Sequence, residues 1–133
     1  YAQLEVADKI NDRRLAIWDK YYEGLKELKD QGKIELQVIP EGCKHNAHMF
    51  FMKAKDLQER TELIKYLKEN GIQTVFHYIP LHTAPAGIKY GRFHGEDRYT
   101  TKESERLMRL PMHYALTDED VECVIEKIKE FYK

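Results

Sequence analysis

The fold depends on one apolar stretch, Asn46-Ala47-His48-Met49-Phe50-Phe51-Met52-Lys53. If it is extended, alternate side chains lie on opposite faces: Ala47, Met49 and Phe51 on one, His48, Phe50 and Met52 on the other. Both faces are then largely apolar, which is typical of a strand with neighbours on both sides. The pattern predicts a central strand over residues 46–53.

Two further strands are predicted, one before and one after this stretch. Residues 33–39 alternate Ile34, Leu36 and Val38 with polar residues, and Pro40-Glu41-Gly42 follows as a turn. Residues 72–78 carry Thr74, Val75 and Phe76 at their centre, residue types that favour strands. We therefore expect a small sheet of three strands.

Helical spacing dominates the first thirty residues and the segment after the central strand. The opening helix should end near Gln31, with Gly32 in the left-handed conformation. A second helix should begin after Asp56 as its cap and stop at Asn70-Gly71. The apolar positions that define them are Leu4, Ala7, Ile10, Ile17, Trp18, Tyr21, Leu25 and Leu28, then Leu57, Leu63, Ile64 and Leu67.

Two more helices are expected near the end of the chain. Thr100 and Glu103 have the spacing of a capping box and predict a helix that ends before Pro111. Thr117, followed by three acidic residues, predicts a last helix with its negative charges at the positive end of the dipole. The core face of that last helix should consist of Val121, Val124, Ile125 and Ile128.

Few strands and several helices, in this order, indicate the α+β class, with helices packed on a small sheet. The 133 residues are the length of one domain, and 42% hydrophobic residues support one modest core. No serine, threonine, aspartate or asparagine precedes the opening helix as a cap. We therefore expect residues 1–133 to be one domain cut from a longer protein.

Composition argues against several classes of partner and site. The 22 basic and 23 acidic residues nearly cancel, so no charge footprint for nucleic acid or an anionic membrane is visible. No apolar run approaches the roughly 20 residues of a membrane span. With only two cysteines, reduced thiols and a cytoplasmic location are expected. The six histidines have no metal-ligand spacing, so no metal site is predicted.

The residues that could bind a ligand cluster where the third predicted strand meets a long, aperiodic segment, residues 79–99. Phe76-His77-Tyr78-Ile79-Pro80-Leu81-His82 spans this junction. His77, Tyr78 and His82 can donate or accept hydrogen bonds, as the hydroxyl groups of a sugar require. Asn46 and His48 form a similar pair beside the central strand. From spacing alone, an ordinary aromatic strand end is the favoured explanation of His77, Tyr78 and His82.

Four segments together resemble one protein family: residues 46–50, 76–82, 93–106 and Arg109-Leu110-Pro111. They are similar to the C-terminal part of the DegT/DnrJ/EryC1/StrS-type sugar-nucleotide aminotransferases. The resemblance implies the small C-terminal domain of a fold-type I transferase that depends on pyridoxal phosphate. It also implies amino transfer from glutamate to the 4-keto group of dTDP-4-keto-6-deoxyglucose. Such reactions serve lipopolysaccharide and enterobacterial common-antigen biosynthesis.

For individual residues, the resemblance implies a role on the sugar side of the pocket. His77, Tyr78, His82, Asn46 and His48 are expected to bind the substrate, and residues 94–99 to help close the pocket. No catalytic or cofactor-binding residue is expected in this chain, because the Schiff-base lysine belongs to the large domain.

Further expectations concern lysines and partners. Lys53, Lys65 and Lys89 are read as solvated surface charges. The expected partners are the nucleotide sugar, glutamate, the protein's own large domain and a second subunit in a homodimer. The competing hypothesis is a free-standing α+β module that binds a ligand or a protein without catalysis.

Overall fold

A four-stranded antiparallel sheet organises the chain, which a computed structural model describes from Tyr1 to Lys133. Its strands are β1 (Glu35–Leu36), β2 (Phe50–Lys53), β3 (Val75–Phe76) and β4 (Leu107–Leu110), in the order β1-β2-β4-β3. The helices are α1 (Ala7–Asp30), α2 (Leu57–Glu69), α3 (Pro85–Tyr90), α4 (Thr100–Arg106) and α5 (Asp118–Phe131). A short 3₁₀ turn, Leu4–Val6, precedes α1. The predicted α+β class is confirmed.

Strand β2 is central, as its sequence predicts, since it pairs with β1 on one side and β4 on the other. Phe50 and Met52 are fully buried, opposite Leu110 and Met108 of β4. The strand begins at Phe50, not at Asn46. Two causes shorten it: Ala47 has a left-handed φ of 47°, and the partner strand β4 ends before a proline.

Strand β4 was not predicted; its residues were assigned to a helix running to Pro111. Helix α4 instead ends at Arg106, and the next four residues alternate between half-buried and buried side chains. These residues pair with β2 on one side and with β3 on the other, which satisfies the backbone groups on both edges of β4. Tertiary pairing therefore overrides the local helical pattern.

The two edge strands are shorter than predicted. The predicted strand 33–39 is reduced to Glu35–Leu36. With its side-chain amide turned so that the oxygen points inward, Gln37 accepts from Phe51 N at 3.2 Å and from Trp18 Nε1 at 3.0 Å. This side-chain bond takes up the N–H of Phe51 beside the end of β1. The predicted strand 72–78 pairs only at Val75–Phe76, opposite Arg109 and Met108.

One short helix, α3, lies inside the segment 79–99 that showed no periodicity. Pro85 begins it at a position where a missing N–H costs nothing. A Cβ on Gly87 would lie 1.6 Å from the carbonyl oxygen of Leu81, so only glycine fits there. Sequence periodicity could not reveal a helix of six residues.

The core lies between the inner face of the sheet and helices α1, α2 and α5. Tyr21, Phe50 and Trp18 pack ring against ring, at 5.2 Å between Tyr21 and Phe50 and 5.5 Å between Trp18 and Phe50. The Tyr21 hydroxyl donates to the carbonyl of Pro111 at 3.1 Å, so its one polar atom is satisfied. Gly24 allows Ile125 of α5 to approach α1 closely.

Most predicted helix ends are confirmed. Gly32 and Gly71 have left-handed φ values of 71° and 79°, and Asp56 Oδ1 accepts from Glu59 N at 2.9 Å. Thr117 and Asp120 form a reciprocal capping box at the start of α5. The predicted capping box of Thr100 and Glu103 is wrong. The N-cap residue of α4 is Tyr99, whose side chain makes no capping hydrogen bond. The Asp97 carboxylate accepts from the Thr100 amide instead.

The apolar stripe of α1 is only partly covered. Its second half is buried, but Leu4 is 76% exposed and Ile10 is only half-buried. Residue Val6, at the N-cap position of α1, gives no side-chain cap, as expected. None of the helices combines the length and apolar composition that a lipid bilayer requires.

Substituting Thr117→Ala should destabilise the chain by about 1 kcal/mol, because the amide of Asp120 loses its acceptor. Thr100→Ala is the matched control and should change stability by less than about 0.5 kcal/mol, since its side chain caps nothing. Urea unfolding followed by circular dichroism measures both. Equal losses in the two variants would contradict the assignment.

Candidate functional site

The five predicted site residues fall into three groups in the structure. Asn46 and His48 lie just before β2, and His77 and Tyr78 lie just after β3. His82 lies further along, in the segment that leads to α3. No hydrogen bond or ring contact joins His82 to the other four residues.

A tight turn holds the first group. Asn46 Oδ1 accepts from the His48 amide at 3.3 Å and lies 3.3 Å from His48 Nδ1. Between them, Ala47 is buried in a left-handed conformation that costs an L-residue roughly 1–2 kcal/mol. Burial of the Ala47 methyl in the core offsets that cost and keeps His48 at the surface.

His48 lines an open cleft of about 770 Å³, bounded by the residues just before β2, the end of β4 and α5. Its polar walls include Gln73, Arg109, His113 and Asp120. The carboxylate of Asp120 already accepts from the Thr117 amide at 3.0 Å. Arg109 also lines the cleft, and its buried Nε has no hydrogen-bond partner.

The second group surrounds that arginine. The Arg109 guanidinium carbon lies 5.7 Å from the centre of the Tyr78 ring, and the His77 ring meets Tyr78 edge-on at 4.8 Å. Burial lowers the pKa of His77, and the positive charge of Arg109 lowers it further. His77 is therefore neutral near pH 7 and can both donate and accept a hydrogen bond.

His82 belongs to a network within its own loop. Its Nε2 lies 2.8 Å from Asp97 Oδ2, and its ring lies 4.4 Å from the ring of Phe93. Asp97 also accepts from the Thr101 hydroxyl at 2.5 Å. The Thr101 hydroxyl, backbone amides and His82 outweigh partial burial and lower the pKa of Asp97. This network ties residues 79–99 to α4 and leaves His82 Nδ1 free of protein partners.

Lys53 is not the solvated surface charge that was expected. It forms ion pairs with Glu35 and with Glu103, the latter at 2.8 Å. Burial alone would lower the pKa of Lys53, but hydrogen bonds to Glu103 and Glu35 outweigh it and raise the pKa. Lys53 is therefore held as an ammonium between two carboxylates. Lys65 and Lys89 are exposed, as expected.

Sequence reasoning missed three contributors to these groups: Arg109, Asp97 and Thr101. The alternation Leu107–Leu110 was a signal for Arg109, because it places that side chain on the outer face of the sheet. The preceding helical pattern concealed it. Asp97 and Thr101 could not be matched with His82 from spacing, since a folded loop brings them together.

Replacing Arg109 with glutamine should raise the pKa of His77, because a nearby positive charge no longer opposes protonation. The pKa should stay below the ordinary histidine value, since burial remains. A proton NMR titration of the imidazole signals measures it.

Arg92→Gln is the control for this titration, because Arg92 is exposed and has no hydrogen-bond or ion-pair partner. It should leave the pKa of His77 where it is in the unmodified chain. An unchanged pKa in the Arg109 variant would show that the two side chains do not interact.

Known proteins resemble this chain over nearly its whole length. The sequence pattern of the DegT/DnrJ/EryC1/StrS aminotransferase family matches residues 1–129. The pleiotropic regulatory protein of Geobacillus stearothermophilus is 34% identical over 100 residues, which are 74% of this chain and 27% of that protein.

Two further relatives carry names that state an activity. The dTDP-3-amino-3,4,6-trideoxy-alpha-D-glucose transaminase of Micromonospora megalomicea subsp. nigra is 29% identical over 119 residues, 88% of this chain and 31% of its own length. The sugar aminotransferase Spr1654 of Streptococcus pneumoniae, solved in a PLP form, superimposes with a TM-score of 0.80 at 26% identity. The match covers 98% of this chain and 33% of that chain. The chain thus spans about a third or less of the relatives it matches.

Proposed function

Because the chain belongs to the DegT/DnrJ/EryC1/StrS aminotransferase family, we propose that it is the small C-terminal domain of a sugar-nucleotide aminotransferase. The match over residues 1–129 is the observation that carries this proposal. The transaminase and the PLP-form structure among its relatives support the reaction type and the cofactor.

The proposed reaction moves an amino group from glutamate to the 4-keto group of dTDP-4-keto-6-deoxyglucose, for a lipopolysaccharide or another cell-surface glycan. The dTDP-sugar relative supports the nucleotide class, although its own name puts the amino group at carbon 3. The choice of carbon 4 rests on the motifs at residues 76–82 and 93–106.

This domain's residues bind and orient the sugar. Neutral His77, the Tyr78 hydroxyl, and His48 with Asn46 supply donors and acceptors along one side of the sheet. Through Asp97, His82 holds the loop in place, and its Nδ1, which has no hydrogen-bond partner in the protein, is available to the sugar. Such positioning lowers the entropic cost of reaching a reactive geometry.

Pyridoxal phosphate, when bound to the full protein, supplies an electron sink for the amino transfer. Lys53 is engaged by the carboxylates of Glu35 and Glu103, which argues against cofactor attachment at that lysine. We place the attachment lysine in the large domain.

Exposed apolar side chains favour this proposal over a free-standing binding module. They concentrate in the segment around the site, at Val75, Phe76, Tyr78, Ile79, Leu81, Ile88, Tyr90, Phe93 and Tyr99. Monomeric proteins seldom leave so much apolar surface in one segment uncovered. We propose that the large domain and a second subunit of a cytoplasmic homodimer cover it.

The full-length protein tests the reaction and the cofactor. We expect it to bind pyridoxal phosphate, with the absorbance of the bound cofactor, and to aminate the keto sugar only when glutamate is present. A full-length protein that binds no pyridoxal phosphate would show that this chain serves another function.

Kinetics of full-length variants test the site residues. His77→Ala and His82→Ala should each raise the KM for the sugar nucleotide more than the KM for glutamate, because both contact the sugar. Lys65→Ala, a change at an exposed helix position, is the control and should alter neither KM. Equal effects on both substrates would contradict the assigned role.

A further inference from the structure

Arg109 is held in place yet lacks a partner. It lies half-buried on the outer face of β4, and its guanidinium makes no hydrogen bond or ion pair with the protein. Its Nε is fully buried and unsatisfied. Since a partly buried cation without a partner carries a desolvation cost, the fold leaves a position open for an acceptor.

A second unsatisfied group lies beside it. His77 Nδ1 is buried with no hydrogen-bond partner, and the charge of Arg109 is close enough to lower the pKa of His77. Both side chains contact the ring of Tyr78, which fixes their orientation. Arg14 and Arg60 also have a buried, unsatisfied Nε, but neither lines the cleft, and the Arg60 guanidinium donates to the carbonyl of Ser104 at 3.2 Å.

The carboxylates around the sheet and cleft already have partners. Glu35 and Glu103 are paired with Lys53 and Arg106 on the sheet. Asp120 of the cleft caps α5. The open position beside Arg109 is therefore suited to an acceptor that comes from outside this chain.

We propose that Arg109, assisted by His77, binds an anionic oxygen group of one substrate. A guanidinium presents a planar fork of donors that matches a carboxylate or a phosphate, and the neutral imidazole adds one donor. This inference rests on the proposed function, which offers two sources of such a group: the carboxylates of glutamate and the diphosphate of the sugar nucleotide. Arg109 would thus act as a specificity residue for the reaction.

Direct binding to the full-length holoenzyme distinguishes the two sources. Calorimetry with glutarate, a dicarboxylate without the amine, and with dTDP, a diphosphate without the sugar, needs no turnover. Arg109→Gln should weaken one probe by about tenfold or more, since it removes charged hydrogen bonds. Arg109→Lys, which keeps the charge without the fork, should recover part of the loss.

Loss of glutarate binding assigns the carboxylate, and loss of dTDP binding assigns the diphosphate. Lys65→Gln, at an exposed position of α2 outside the cleft, is the control and should bind both probes normally. If Arg109→Gln binds both probes as tightly as the unmodified enzyme, the inference is wrong. Equal weakening of both probes with a lowered Tm would also overturn it, since that indicates a structural role.

Failure of the proposed function would be seen separately. An unmodified full-length protein that binds no pyridoxal phosphate and does not aminate would reject the transaminase assignment before any Arg109 variant is made. Normal amination together with unaltered probe binding in Arg109→Gln would reject only the anion site.

Discussion

The pairing of β2 with β4 is the constraint on which the rest of the structure depends. It joins residues from the two halves of the chain, Phe50–Lys53 and Leu107–Leu110, in four matched positions. Phe50, Met52, Met108 and Leu110 thereby form the buried floor of the core. Because side chains alternate along a strand, the same pairing sends Phe51 and Arg109 to the outer face. One register therefore sets both the core and the candidate site.

Edge strand β3 extends this arrangement to the site. Val75 lies opposite Arg109, and the chain then leaves the sheet through His77 and Tyr78. On the other side, the left-handed Ala47 bends the chain before β2 and brings His48 to the cleft that Arg109 also lines. Arg109 thus lies between two groups of residues that are about thirty positions apart in sequence. The loop network of His82, Asp97 and Thr101 is separate from this cluster.

A network of charged side chains occupies another part of the same outer face of the sheet. Lys53, Glu35, Glu103 and Arg106 compensate one another there, and the Arg106 Nε also donates to the carbonyl of Ala54 at 2.9 Å. Such a network holds α4 against β2 and leaves no charge for a ligand. Arg109 differs because its neighbours on the sheet are Phe51 and Val75, which offer no acceptor.

Local sequence determined what depends on local physics. The helical stripe of α1, the caps Asp56 and Thr117, the left-handed Gly32 and the apolar strand around Phe50 were all readable, because neighbouring residues alone produce them. The motif around His77 likewise pointed to the family. Tertiary structure decided the rest: β4 in place of a longer helix, the ion pairs of Lys53, and Asp97 as the partner of His82. Each of these depends on residues distant in sequence, whose hydrogen bonds and charges outweigh the weaker preferences of the local chain.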